Sequence, residues 1–438
     1  MRTNMVLVLS ITTLGIAFGG EPDGDAAKRH ERCASVLRDL KSADADIRAT
    51  ANRALQALEV ATLVQLRAEL RSADSGEQRK LLAKRLDALK EKTWEANTPR
   101  VEAWLKAGRW DLANEILSTS PGKDPTPILQ PLMKERSRLS VAFDRCLAAV
   151  ADPARPPLIV SVEYPPDPVW LAKRRSSDDP ITEMKGVATD TLDNWVLRAE
   201  VCRLSYKFRN GCFLAVRSRL ADALPENDIS EWHRSNLFVN NGFTAREVYE
   251  SLVICDGDFT LNGRLHGVYS SLIICNGDFV ADVTVTPQSV MGSVIYATGD
   301  IKFPIKVKKP SGSIFFAGGK VHDAKAVADA KHIHEGVTEP PFNVRFLDPK
   351  EFGLTLEVAK GGLTVAKLDE KSAFAKQGLK AGDLITHADD LPMKTVADFR
   401  RELRRGVIDG GLLVRVERDG KTIPMLFEVP DAPKPAKK

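Results

Sequence analysis

The order of apolar and polar positions divides the chain into textures. From residue 26 to about 150 the pattern is helical, with apolar residues recurring three or four apart, the spacing of amphipathic helices. The clearest stretch is Ile47-Arg48-Ala49-Thr50-Ala51-Asn52-Arg53-Ala54-Leu55-Gln56-Ala57-Leu58, where Asp44 or Asp46 stands ready to cap the first turn. Leu63, Leu66 and Leu70 mark a second helix, and Leu81, Leu82, Leu86 and Leu89 a third; Pro is absent from residue 26 until Pro99. From 121 Pro, Asp and Ser become frequent. Pro153, Pro156, Pro157, Pro165, Pro166 and Pro168 predict a connector with one short strand at Leu158–Val162. From 193 the chain turns to short apolar runs separated by Gly-containing turns, the texture of strands.

Those runs repeat. Ser251-Leu252-Val253-Ile254-Cys255-Asp256-Gly257-Asp258-Phe259 is matched by Ser271-Leu272-Ile273-Ile274-Cys275-Asn276-Gly277-Asp278-Phe279, 20 residues later. Copies beginning at Ser293 and Ser313 follow, a looser one at Asn236 precedes, and Asn194-Trp195-Val196-Leu197 and Asn210-Gly211-Cys212-Phe213-Leu214 are degenerate ones. A period near 20 in short β-rich runs means one supersecondary unit per repeat. A single coil cannot bury its apolar face alone, so stacked coils of a β-solenoid are expected over 193–322, with an antiparallel sandwich as the other solution. The repeat resembles the small β-helix of bactofilin-like polymerising proteins, and "LRDLKSADADIRATANRALQAL" resembles one HEAT-type repeat; a plain helical hairpin bundle fits the latter stretch equally. In a solenoid Cys255 and Cys275 stand one coil apart. An inward Cys ladder fits that register, and a disulfide or metal pair is the alternative, though a disulfide wants Cβ atoms nearer about 3.8 Å.

Composition narrows the function classes. With 63 basic and 59 acidic residues the net charge is +4, which leaves no electrostatic footprint for nucleic acid. Met1 and Arg2, an apolar run over Met5–Phe18 and small residues at Ala17-Phe18-Gly19 read as a secretory signal over 1–20. The run is shorter than the roughly 20 residues a span needs, so the mature chain is expected to be exported without a membrane span, to the periplasm, envelope or exterior. Six cysteines show no CxxC spacing, which speaks against zinc or a redox pair. Asp256-Gly257-Asp258 lacks the Gly and Glu of a calcium loop, since Leu261 and Gly267 occupy those places. His322, at the end of the repeats, and His332 and His334, in a linker over 323–346, offer a His-x-His with no third ligand at fixed spacing, so neither metal nor cofactor is expected.

The last segment, 347–430, carries the most specific signal. Ser372 caps a short helix, Gly378 ends it, Gly382-Asp383 turns, and Leu384-Ile385 enter a strand. Val396–Leu403 is an amphipathic helix, and Leu412–Arg418 and Lys421–Val429 form a hairpin across Asp419-Gly420. This order, with "SAFAKQGLKAGDLI", resembles the PDZ domains attached to bacterial envelope proteases. The resemblance implies that backbone N–H groups of Phe352-Gly353-Leu354-Thr355 hold a peptide's C-terminal carboxylate. It also implies that the peptide adds as a strand along Leu354–Val358, against the helix starting near Val396. Leu354, Leu356, Val396 and Phe399 are the expected apolar pocket, with core filling the alternative for Phe399. Two departures stand out: Ala373 where the family often has Pro, and Asp389-Asp390 where it often has Asn-Gly.

The expected architecture is therefore a helical domain at 26–120, a connector at 121–192, solenoid repeats at 193–322, a linker, a PDZ domain at 347–430 and a basic tail at 431–438. The function this supports is an exported, non-enzymatic binding or scaffold protein whose partners are protein or peptide C-termini. The alternatives are an envelope hydrolase or protease-associated protein, and a self-assembling solenoid. Against a hydrolase, there is no Gly-x-Ser-x-Gly, and His334-Glu335 is not followed by the second His of a zinc protease helix. Asp258, Asp278 and Asp300 recur at successive turns, as a structural position does, whereas an acid–base pair needs two different environments. Against polymers, flanking domains are expected to cap the open solenoid ends.

Overall fold

A computed structural model describes residues 24–58, 62–73, 75–119, 124–148, 167–170, 191–193, 195–199, 207–209, 213–216, 231–240, 242–262, 267–282, 290–303, 312–322, 332–339, 341–389 and 391–431. The expected signal segment at 1–20, the expected strand at Leu158–Val162, Cys202, Cys212, Asp390 and the tail from 432 lie outside these residues. The chain divides into two compact units. One comprises residues 1–82, 349–402 and 409–431; the other comprises 83–348, 403–408 and 432–438.

In the first unit, helices α1 (Gly24–Asp39), α2 (Ala45–Leu55) and α3 (Leu63–Ser72) precede the C-terminal region. Of the two candidate caps Asp44 is the one used: it is extended, and its carboxylate accepts from the N–H groups of Asp46 and Ile47. The C-terminal region forms an antiparallel sheet of strands β1 (Leu354–Ala359), β2 (Gly362–Leu368), β3 (Leu384–Ala388), β4 (Leu391–Pro392), β5 (Leu412–Arg418) and β6 (Lys421–Phe427). Their order is β1-β2-β3-β5-β6, with β4 paired to β3. Two helices belong to the C-terminal region, α8 (Ala373–Lys376) and α9 (Val396–Asp409, of which residues 403–408 cluster with the second unit). Thr395 and Asp398 form a reciprocal capping box at the start of α9, and Gly410, left-handed at φ 77°, stops it. Asp419 and Gly420 both take positive φ, the conformation a two-residue hairpin turn demands.

The second unit holds α4 (Gly76–Asn97, which begins in the first unit), α5 (Val101–Lys106), α6 (Trp110–Thr119) and α7 (Thr126–Ala148), together with the solenoid. α7 corrects the expected connector. Pro127 and Pro131 lie in its first two turns, and beyond them Leu132, Arg136, Leu139, Ser140, Phe143 and Leu147 are buried at helical spacing. The connector's breakers begin only at Pro153. Strands at Asp167–Trp170 and Thr191–Asp193 also join the sheets, so the strand region begins before residue 193.

The repeats form a parallel β-solenoid, with three sheets of nine, six and four strands among the described residues. Leu252 pairs with Leu272, Leu272 with Val294 and Val294 with Ile314, so the repeat seen in sequence is the register of the longest sheet. The degenerate copies supply Trp195–Ala199 and Phe213–Val216 to the same sheet. Alternate residues Val253, Cys255, Ile273, Cys275, Ile295, Ala297, Phe315 and Ala317 fill the interior with a column of Phe243, Phe259, Phe279 and Phe303. Phe259 and Phe279 stack with centroids 5.6 Å apart. Cys255 and Cys275 are both free thiols, fully buried in this core.

The outward positions of that sheet, Leu252, Ile254, Leu272, Ile274 and Val294, are buried too. The reason is that α6 and α7 pack on this face, where Trp110 stacks on Phe238 at 5.3 Å. A parallel strand covered on both sides reads as a continuous apolar run, and LVIC and LIIC are such runs.

Polar ladders run beside the core. Each buried serine of the repeat accepts from the serine N–H one coil earlier: Ser235 to Ser251, Ser251 to Ser271, Ser271 to Ser293 and Ser293 to Ser313. The aspartates do the same at another corner. Asp258 accepts from Asp278 N–H, Asp278 from Asp300 N–H and Asp300 from Lys320 N–H. Gly277, Gly299 and Gly319 are required there, because a Cβ at each would strike the aspartate carboxylate of the preceding coil. At the end of the longest sheet Ile333–His334 pairs with the strand Ile314–Ala317, and Val337 N–H bonds Ala317 C=O.

The expected linker is partly fastened down. Arg345 N–H donates to Gly108 C=O at 2.7 Å, Leu347 N–H to the Asp111 carboxylate at 2.7 Å, and the Arg109 guanidinium to Phe346 C=O at 2.8 Å. Gly108 is left-handed at φ 80°, and a Cβ there would lie 2.9 Å from Asn343 Oδ1.

Candidate peptide-binding site

β1 is the terminal strand of its sheet; among the described residues it pairs with β2 alone. The direction of its free backbone groups follows from two observations. Asp369 N–H bonds Gly353 C=O, and β1 turns into β2 through Lys360 and Gly361, with Ala359 facing Gly362. In an antiparallel ladder the residues that flank a two-residue turn point both backbone groups at the partner, and successive residues alternate. Gly353, Thr355, Glu357 and Ala359 therefore face β2. The N–H and C=O groups of Leu354, Leu356 and Val358 face the open edge. A break in register near Thr355–Leu356 leaves Ala366 of β2 as the extra residue, so the alternation along β1 is preserved.

The start of the strand is fixed by packing. Phe352 closes a 3₁₀ turn over Pro349–Phe352, and its ring meets Phe374 edge-on at 6.4 Å. Gly353 is left-handed at φ 74°, and a Cβ there would meet Asp369 Cβ at 2.7 Å and Ser372 Cβ at 3.0 Å. Its N–H is already spent on Lys350 C=O, so among Phe352-Gly353-Leu354-Thr355 the Leu354 N–H is the one aimed at the open edge. Leu354 and Phe399 are buried at 0% and 1% exposure. Leu356 lies at the border of burial, and Thr355 and Val396 are half-buried, Val396 as the first residue of α9.

Sequence reasoning passed over the most accessible of these side chains. Val358 is 66% exposed, although it continues the alternation of Leu354 and Leu356 along one face of β1. That period-2 pattern was the available signal. Nearby, Asp383 of the Gly382-Asp383 turn is buried and grips Arg418 through two 2.7 Å bonds, which holds the Arg418 guanidinium above its ordinary range. Its other role is to accept from Lys380 N–H.

The remaining candidate chemistry is occupied. The column of Asp258, Asp278 and Asp300 serves as backbone acceptors, and Asp278 and Asp300 also meet Lys302 and His322. Asp256 accepts from Asn276 and from Arg404, a residue that clusters with the solenoid's unit. His334 stacks on Phe316 at 4.8 Å while His322 bonds Asp300, so these two histidines serve different contacts. Among the described residues no group of three or more His, Cys, Asp or Glu side chains is arranged to hold a metal ion.

An open strand edge following a tight left-handed glycine, in a small sheet with a capped helix, is the layout of a strand-adding recognition module. Residues 351–426 match the PDZ domain family model. A PDZ domain is a protein- and peptide-binding module, so the C-terminal region is of that class. No curated protein matches the chain.

Proposed function

We propose that the protein is an exported, non-enzymatic scaffold whose PDZ domain captures C-terminal or extended peptides by adding them as a strand along Leu354–Val358. The observation that carries this is the open edge of β1, with three residues' backbone groups directed outward beside an exposed Val358. Main-chain bonds to Leu354, Leu356 and Val358 supply affinity, and Leu356, Val396 and the surface near Phe399 supply side-chain selectivity. The basic character of the chain is too slight to favour nucleic acid instead. No helix among the described residues is long and apolar enough to cross a membrane.

The test is a binding screen of the full chain against peptides with free C-termini. Binding that weakens on amidation of the peptide carboxylate supports capture of chain ends. Binding of internal sequences with equal strength supports plain strand addition. If no peptide binds, the reading is wrong. Val358→Pro adds a sharper probe. It deletes one outward N–H, a change edge strands tolerate, and is expected to cost about 1 kcal/mol of binding, roughly fivefold in affinity.

A further inference from the structure

Two buried carboxylates of the C-terminal region share a cation, and that cation comes from the N-terminal helices. Arg67, in the middle of α3, places Nη2 2.8 Å from Asp389 Oδ2 and Nη1 2.8 Å from Asp409 Oδ2. All three side chains are nearly inaccessible, at 10%, 2% and 6% exposure. Asp389 directly follows β3 and Asp409 is the last residue of α9, so the Arg67 guanidinium joins the end of that strand to the end of the helix. α3 also lies along β5, and its Leu63, Val64 and Leu66 are buried. A second arginine repeats the theme: Arg29 of α1 reaches Glu428, just past β6, at 3.3 Å.

The same contact accounts for the departure from the Asn-Gly turn. Asp389 takes φ 48°, a left-handed geometry that Asn and Asp adopt more readily than other side chains. Its backbone N–H bonds Leu413 C=O at 2.7 Å and its Oδ1 accepts from Leu413 N–H at 3.3 Å, which either residue type can do. What only Asp supplies is a negative charge. A buried charge persists where it is paired, and Arg67 is a cation that pairs it.

We infer that the PDZ unit of this protein is assembled from two distant chain segments, with Arg67 as the internal counter-ion that positions the end of α9. The N-terminal helices are then a latch on the binding module. Withdrawing α3 removes the Arg67 charge from both buried carboxylates and loosens the end of β3 and the helix end together. That α9 walls a peptide groove rests on the proposed function; the counter-ion role does not.

The test uses the full chain, with thermal unfolding and hydrogen exchange as readouts. Arg67→Met is expected to lower the melting temperature and to speed exchange at the end of α9 and around Asp389. Adding Asp389→Asn and Asp409→Asn to Arg67→Met is expected to restore most of both losses, because no uncompensated charge remains. Should Arg67→Met fail to fold, a triple variant that folds supports the inference in the same way. An Arg67→Met protein that melts with the wild type overturns the inference, as does a triple variant no better than Arg67→Met. Absence of peptide binding by the wild type would sink the proposed function and leave these melting results untouched.

Discussion

The solenoid and the PDZ region are both built on sheets, yet they treat their strand edges in opposite ways. In the solenoid each coil's backbone groups are answered by the next coil, and where the ladder is interrupted a serine or aspartate of a neighbouring coil supplies the acceptor. In the PDZ region β1 leaves one edge unpaired among the described residues. Unpaired strand edges invite another chain. The inner coils of the solenoid thus use their backbone groups on one another, whereas β1 presents those of Leu354, Leu356 and Val358 outward, where an added strand can meet them.

This contrast can be broken or sharpened by experiment. The largest effect should come from the solenoid interior. Phe279→Ala removes a fully buried ring from the aromatic column and is expected to cost about 3–5 kcal/mol in denaturant unfolding. Ser271→Ala should cost about 1–3 kcal/mol, because Ser251 N–H is buried and loses its acceptor. A change near zero would mean the ladders are incidental. Cys255 gives a chemical measure of closure. Burial pushes its thiol well above the ordinary range, so it should resist alkylation at mildly alkaline pH until the protein unfolds. Ready modification of the native protein would show the coil opens. The smallest stability effect is expected at the open edge. Val358→Pro should shift unfolding by no more than about 0.5 kcal/mol while weakening peptide binding. If it destabilised the fold as Ser271→Ala does, the edge of β1 would be serving the protein's own packing.

How much of this was legible in the sequence differs between levels. The repeat register was fully visible, because residues such as Leu252, Leu272, Val294 and Ile314 are spaced by the coil itself. The PDZ order was visible in local turn and cap chemistry at Ser372, Gly378 and Gly420. The helix α7 lies within the helical texture that runs to about 150, yet the domain boundary fell at 120 because the prolines that follow mark a connector. The cover over the longest sheet was half-visible. LVIC and LIIC have no polar face, which says both sides are buried but not by what. The Arg67 contact with Asp389 and Asp409 was out of reach, since nothing local to α3 distinguishes Arg67 from its basic neighbours. Likewise Gly277 and Gly299 read as turn glycines, whereas the space they leave belongs to an aspartate one coil away.

The segment that fastens onto the α5–α6 junction has a mechanical consequence. Arg345 lies in a parallel bridge with Arg109, and the bonds of Asn343, Arg345 and Leu347 to residues 105–111 are arrayed along the chain direction. A pull on the chain from beyond residue 348 therefore loads several bonds at once, as a shear, before any coil of the solenoid carries tension. Force-spectroscopy traces should show the strap at 343–347 yielding as one event, and Gly108→Ala, which crowds Asn343, should bring that event to lower force.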